Sequence, residues 1–498
     1  MQKPNKSSLL KFPFHLFLVP LFFILNKYVQ YHGLTEVKTA ILFAFQITLF
    51  VLISLFMLRF IQGNWLKASL STSVLTLLFL FFGDIRFFLQ KSTLLQPLSH
   101  YKLLFPILLL ILFLFFKSIK KEAMLLRTTY FFNFLLLVYT VFETVRILQL
   151  NHISKKENSP LAFNLPDSVK KNLPDIYFLV PDCYPSTSYQ KEVLDINNQP
   201  FDDTLTKLGF RVLQESKSNY NRTAFSMLST FDMSYTNIVD TFHATGSREY
   251  QLAMKQILTA DLFMHLKNAD YNFINLSIFD FANTKALRKQ NFLNTTSKGM
   301  FLSHTFWNYF SRDIFFTWFS KKKKNGQNEK KEMYEPLKEY NQQIIDTLVQ
   351  TDFSTSNQPV FLYAHLNMPH YPYFYDANGT PYAEDSIYNK EMISNKTRFA
   401  GYIQYSNKQL LRIINSIKNK TNGKAIIVLQ SDHGLSNITS NKKSNAFRNY
   451  SAFYFPDADY SKLYDSMSNV NSFRIILNKY MNQSLPLLHD ESFYVFFR

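Results

Sequence analysis

The 498-residue sequence holds a single cysteine, Cys183. An intrachain disulfide is therefore excluded. An exported domain of this size without disulfides is more typical of bacteria than of eukaryotic secretion. Acidic residues are also in short supply, 36 against 54 Lys and Arg, for a net charge of +18. Such a balance fits nucleic acid or anionic lipid headgroups. The lipid reading is preferred because the chain is strongly apolar at its start, and no nucleic-acid partner is expected. No small-residue cleavage site follows the first apolar run, so that run reads as a retained anchor rather than a removed signal. No internal repeat is visible.

What is abundant is aromatic and aliphatic. Hydrophobic residues make up 47%, with 52 Phe and 29 Tyr, too aromatic for an average soluble enzyme. The excess lies in the first third. Residues 10–26, 39–60, 68–89, 103–116 and 124–149 each read as a membrane span, mostly near the roughly 20 residues a helix needs. Lys3, Lys6 and Lys11 precede the first run, Arg59 and Lys67 flank the second loop, and Lys117, Lys120, Lys121 and Arg127 lie between the last two. The positive-inside rule places those segments in the cytoplasm and everything after residue 150 outside it. Arg86, Lys91 and Lys102 fall on the outer side against the rule.

Residues 1–150 thus form a transmembrane domain and the polar stretch 151–173 a linker, leaving 174–498 as one large globular domain. Apolar runs at Asp175–Val180, Phe210–Leu213, Asn272–Leu276, Val360–His365, Ala425–Gln430 and Ser451–Phe455 predict strands. Amphipathic stretches at 201–208, 222–230, 247–258, 335–350, 397–418 and 471–480 predict helices. The alternation implies an α/β domain with a largely parallel central sheet, in which ligands gather beyond the strands' carboxyl ends. Residues 301–319, rich in Phe and Trp and followed by Lys321–Lys324, read either as a core-packing helix or as an interfacial helix on the bilayer.

The chemistry-bearing residues sit at those strand ends. Asp432 and His433 follow the run 425–430 and precede Gly434. Adjacent side chains on extended chain point to opposite faces, so a turn is needed before both reach one ion. Carboxylate and imidazole together suit zinc or manganese. The same tripeptide also fits a polar strand end turning at glycine. Asp182 ends the first strand. Thr223, after Arg222, opens a helix whose free amides favour an anion. It reads as an activated nucleophile if it touches a metal, or as an ordinary N-cap. His365 and His370 flank a strand-to-loop transition with prolines fixing the loop.

In this order the segments resemble the alkaline phosphatase/sulfatase superfamily, and within it the membrane branch of lipoteichoic acid synthases and phosphoethanolamine transferases. The resemblance is strongest over 174–230, 359–376 and 399–434. It implies an alkaline-phosphatase-like domain carried on about five spans. It implies that Asp182, Thr223, Asp432 and His433 hold one divalent ion, zinc or manganese, and that Thr223 becomes covalently modified. It implies that His370 contacts the transferred group or assists the leaving group. His365 is expected to support substrate or a second metal, and Arg222 to neutralise charge on the transferred group. Ser226 and Ser229 stand near enough to Thr223 to be rival nucleophiles. Cys183 stands where relatives usually have glycine. Cys183-Tyr184-Pro185-Ser186-Thr187 nearly spells the Cys-x-Pro-x-Arg signature of true sulfatases, but its arginine is missing and it directly follows Asp182.

The function expected is transfer of a phospholipid headgroup, of phosphoethanolamine or phosphoglycerol type, to an envelope glycan or lipid acceptor. The enzyme would be an integral protein of the bacterial inner membrane with its catalytic domain periplasmic or extracellular. The alternatives are a hydrolase of phosphate or sulfate esters and a non-catalytic envelope protein that keeps the fold.

Overall fold

The computed structural model describes residues 11–118, 121–157, 170, 172–239, 245–288, 297–311, 326–354, 358–387, 389–435 and 443–496. It divides into two compact units. One comprises residues 1–161 with 295–323, the other 162–294 with 324–498.

The first unit is helical. Helices occupy all five apolar segments: α1 His15–Gln30, α2 Val37–Gln62, α3 Trp65–Leu80 continued after a bend by α4 Phe82–Gln90, α5 Tyr101–Ser118 and α6 Glu122–Glu157. Among the described residues α2 and the Glu122–Leu150 part of α6 are long and apolar enough to cross a membrane. The α3–α4 pair, bent by 54°, makes a third if it counts as one span. Helix α6 runs on through residues 151–157, which the sequence alone assigns to the linker.

Residues 297–311 fold within this helical unit, although the sequence alone places them in the 174–498 domain. The reason is side-chain chemistry. Phe301 is buried and stacks on Phe43 at 5.5 Å, and Phe306 stacks on Phe105 at 4.8 Å. His304 Nδ1 lies 3.0 Å from Asp84 Oδ1, the oxygen that also takes the Lys27 ammonium at 2.7 Å. Core packing therefore describes this part of the aromatic segment. Phe315, Phe316, Trp318, Phe319 and Lys321–Lys324 lie outside the described residues.

The second unit is built on a six-stranded sheet: β1 Ile176–Pro181, β2 Arg211–Leu213, β3 Asn272–Leu276, β4 Val360–Leu366, β5 Ile426–Gln430 and β6 Ser451–Tyr454. Each matches a run read from the sequence. Their spatial order is β2-β6-β5-β1-β4-β3. The sheet is mixed. Pairs β1–β4, β1–β5 and β3–β4 are parallel, while β6 runs against both β5 and β2. Among the described residues only a short helical turn at Lys443–Phe447 separates β5 from β6. A parallel neighbour needs a long helical crossover, and none lies among the described residues of this connection.

Every residue of β1, β4 and β5 is buried. Helices cover both faces of such strands, which is why they read as unbroken apolar runs instead of alternating ones. Helix Lys396–Lys420 begins where Asn395 Oδ1 accepts the Arg398 amide at 2.9 Å, an N-cap that satisfies one free donor. It buries Phe399, Ile403, Ser406, Leu410, Ile413 and Ile417 at intervals of three and four, the stripe a covering helix presents. Truncating the fully buried Leu410 to alanine would cost about 2–5 kcal/mol.

Candidate metal centre and active site

Strands β5, β1 and β4 are neighbours, so their carboxyl ends open onto one place. Asp182 follows β1, Asp432 and His433 follow β5, and His365 and His370 come from the end of β4 and the loop beyond it. The register pairs Val180 with His365 and Leu179 with Leu429, which brings these ends level. Oxygen or nitrogen atoms of Asp182, Asp432 and His433 lie within 4.8 Å of one another, and so do ligand atoms of Asp182, Cys183 and His370.

The turn after β5 needs glycine. A Cβ added at Gly434 would stand 2.7 Å from the Arg448 carbonyl and 2.9 Å from that of Asn445, both backbone. The Gly434 carbonyl in turn lies 2.8 Å from His433 Nδ1. A carbonyl only accepts, so the ring proton sits on Nδ1 and Nε2 keeps its lone pair. That Nε2 faces Asp432 Oδ2 at 3.3 Å and Thr223 Oγ1 at 3.4 Å.

Thr223 is the first residue of α7, Thr223–Asp232. The N-cap is Arg222, with no side-chain capping bond, so Thr223 is not the cap the sequence allowed. Its hydroxyl is directed at His433. The two rival serines are fully buried and engaged elsewhere. Ser226 Oγ donates to the Asp432 main-chain carbonyl and Ser229 Oγ to that of Ser226. Arg222 is half-buried at the same helix start, and its charge acts on Cys183.

The two carboxylates are buried and incompletely satisfied. Asp432 Oδ1 accepts the Cys183 amide at 3.1 Å, while Asp432 Oδ2 and Asp182 Oδ1 have no hydrogen-bond partner. His365 is 1% exposed; its Nδ1 meets the Tyr363 hydroxyl at 2.6 Å and its Nε2, also without a hydrogen bond, stands 3.8 Å from Asp182 Oδ2. His370 Nδ1 donates to the Tyr371 carbonyl at 2.5 Å, leaving Nε2 as its free nitrogen. Burial alone would raise the Asp182 carboxyl, but the adjacent His370, His365 and His433 rings hold it below the ordinary carboxylate range. Burial and the charges of Asp182 and Asp432 push the Cys183 thiol well above its ordinary value.

Buried carboxylate oxygens without partners are costly unless a cation completes them. Two carboxylates, an imidazole with its lone pair turned inward and an adjacent hydroxyl form a donor set that fits a divalent metal ion. Sequence reasoning left Cys183 out of the site. Its signal was the departure from glycine directly after Asp182, and the structure places its thiol within 4.8 Å of ligand atoms of Asp182 and His370.

A comparison with curated proteins finds no match. Among solved structures the chain is similar to lipooligosaccharide phosphoethanolamine transferase A of Neisseria meningitidis. The two share 13% identity over 96% of each chain, with a TM-score of 0.37–0.39 across these similarities, 0.39 for this one. The C-terminal periplasmic domain of EcEptC from Escherichia coli, in complex with zinc, is 14% identical over 65% of this chain and 86% of that one, with a TM-score of 0.37. Residues 276–474 match the family model described as Sulfatase, a span that takes in His365, His370, Asp432 and His433. Asp182 and Thr223 lie outside it and are joined to it by the fold. Over residues 276–474 the chain is thus similar to the family described as Sulfatase.

Proposed function

We propose that this chain is a membrane-anchored, metal-dependent phosphoryl-group transferase. It moves a phospholipid headgroup, of phosphoethanolamine or phosphoglycerol type, to an envelope glycan or lipid acceptor through a covalent Thr223 intermediate. The observation that carries this reading is the Thr223 hydroxyl, free of any capping role and 3.4 Å from His433 Nε2, beside two unpartnered carboxylate oxygens.

In this reading Asp182, Thr223, Asp432 and His433 hold one zinc or manganese ion. When bound, that ion supplies Lewis-acid stabilisation of negative charge on oxygen. Thr223 Oγ attacks phosphorus, and the Oγ–P bond forms as the P–O bond to diacylglycerol breaks. The threonine proton passes to solvent. His370, protonated on both nitrogens for this step and oriented by its Nδ1 bond to the Tyr371 carbonyl, delivers a proton from Nε2 to the departing oxygen. Arg222, His365 and the free amides of the first turn of α7 offset charge on the phosphoryl oxygens. An acceptor hydroxyl then attacks phosphorus and gives its proton to the now neutral His370 Nε2; the Oγ–P bond breaks as the acceptor–P bond forms, and Thr223 Oγ takes a proton back from solvent.

The apolar helices and their basic loops support a multi-pass protein of the bacterial cytoplasmic membrane; five spans is the count the sequence suggests, and among the described residues two helices, or three with the bent pair, are long and apolar enough to cross. The catalytic unit then lies on the periplasmic or extracellular side. Tethering of this kind keeps the enzyme next to a donor that never leaves the bilayer.

The family match favours a second reading, hydrolysis of a phosphate or sulfate ester by water at the same threonine. Incubating the full-length protein with headgroup-labelled phosphatidylethanolamine and phosphatidylglycerol, in membranes containing envelope acceptors, separates the two. Label on an acceptor supports transfer, and label released only as a free headgroup ester supports hydrolysis. No turnover of either lipid or of a soluble ester would leave a non-catalytic envelope protein.

A further inference from the structure

We propose that Cys183 is a thiolate ligand of the cation centre anchored on Asp182, and that it makes this centre select thiophilic cations, zinc or cadmium, over manganese and magnesium. The inference rests on the cation centre of the proposed function and narrows the choice of metal left open there.

Three observations carry it. First, Cys183 adopts φ 61°, in the left-handed region that glycine enters without strain and a side-chain-bearing residue does not. A cysteine stands where glycine fits the backbone better, so its side chain is not there to serve the turn. Second, the thiol is aimed at the cluster. Its Sγ stands 3.5 Å from His433 Nδ1 and 4.0 Å from Nε2, and lies within 4.8 Å of both an Asp182 carboxylate oxygen and a His370 ring nitrogen. The Cys183 amide is tied to Asp432 Oδ1 at 3.1 Å, which holds the residue against the second carboxylate. Third, the surroundings contain buried donors with nothing to bind. Asp182 Oδ1, Asp432 Oδ2 and His365 Nε2 have no hydrogen-bond partner, and all three residues are less than 9% exposed.

Oxygen and imidazole donors alone accept manganese, magnesium or zinc. A thiolate shifts the preference toward zinc and its soft congeners. On binding, the Sγ–H bond breaks, the sulfur–metal bond forms and the proton goes to the buffer, so thiolate ligation is coupled to proton release.

The test uses the full-length chain in detergent, stripped with a chelator and titrated with cobalt(II) as a spectroscopic stand-in for zinc. Because Cys183 is the only cysteine, any thiolate-to-cobalt charge-transfer band belongs to it. Wild type is expected to show that near-ultraviolet band together with visible d–d bands. Cys183→Ser is expected to keep the visible bands, lose the charge-transfer band and bind zinc roughly 10–100-fold more weakly, with manganese affinity unchanged. Cys183→Gly, which relieves the positive φ, guards against a serine variant that fails to fold and should give the same spectra. Visible bands without a thiolate band in wild type, or equal zinc affinity in wild type and both variants, would overturn the assignment while leaving the cation centre standing. Failure of wild type to bind cobalt or zinc at all would remove the centre and this ligand with it.

Discussion

The Cys183 amide donates to Asp432 Oδ1 at 3.1 Å, linking the turn after β1 to the turn after β5 across about half the chain. One oxygen of Asp432 is thereby engaged and the other, Oδ2, is left facing His433 Nε2 without a hydrogen bond. This division of labour sets what the carboxylate does in the proposed reading: Oδ1 positions, and Oδ2 is the oxygen offered to a cation.

Asp432→Asn separates those roles. The amide oxygen still accepts from Cys183, but the charge is gone. Without metal the variant should melt no lower than wild type, because one of two neighbouring buried carboxylates no longer needs compensation. Zinc should raise the wild-type melting temperature and leave that of the variant nearly unchanged, since stabilisation by a ligand scales with its affinity. Thermal shifts with and without zinc check this.

Gly434→Ala places a Cβ 2.7 and 2.9 Å from two main-chain oxygens that have little room to move. A loss of roughly 1–3 kcal/mol in stability is expected. The turn that aims His433 should shift with it, lowering cation affinity as well. Denaturant unfolding and calorimetric titration of the same preparation report the two effects separately.

Among the hydroxyls of α7, Thr223→Ala should remove turnover by roughly 10³-fold or more, as loss of a nucleophile does, with little change in stability. Ser226→Ala should do the reverse. It removes the bond to the Asp432 carbonyl and costs about 1–2 kcal/mol of stability, yet leaves the reacting hydroxyl in place. Kinetics and melting curves on both variants would distinguish these outcomes, and loss of turnover only in the Ser226 variant would make serine the nucleophile.

Asp232, at the far end of α7, supplies a pH dependence unconnected with the cluster. Burial pushes its carboxyl up to about 7, against the Asp261 amide bond and with help from the Asp261 charge. An unfolded aspartate titrates near about 3.9. Below that value both states are protonated and the stability is complete. As pH rises toward 7 the unfolded state loses its proton first, so stability falls, and above 7 the loss is constant. Asp232→Asn removes the effect. The wild-type melting temperature should therefore fall relative to the variant between pH 4 and pH 8, and parallel curves would contradict the assignment.

Much of this architecture was legible in the residues. The strands were visible because β1, β4 and β5 are covered on both faces and so read as continuous apolar runs. The placement of Asp182, Asp432 and His433 at strand ends followed from those runs. The antiparallel course of β6 was not legible, because strand direction depends on how the connection after His433 folds and not on the run itself. The docking of residues 297–311 on the helical unit was hidden for a similar reason. It depends on the distant pairings of His304 with Asp84 and Phe301 with Phe43, and the segment's composition serves a core or a membrane surface equally well. Distinguishing Thr223 from Ser226 and Ser229 required knowing which hydroxyl faces His433, a matter of helix phase. Cys183 looked incidental because its spacing from any sulfatase-type signature is wrong. Only its positive φ and the position of its sulfur bring it into the site.

The most direct test is intact-mass and peptide mass spectrometry of the full-length protein quenched during incubation with phosphatidylethanolamine or phosphatidylglycerol. A phosphoethanolamine or phosphoglycerol adduct on Thr223, absent from Thr223→Ala, is the expected result. An adduct on another residue, or turnover with no adduct at any time, would contradict the covalent threonine route.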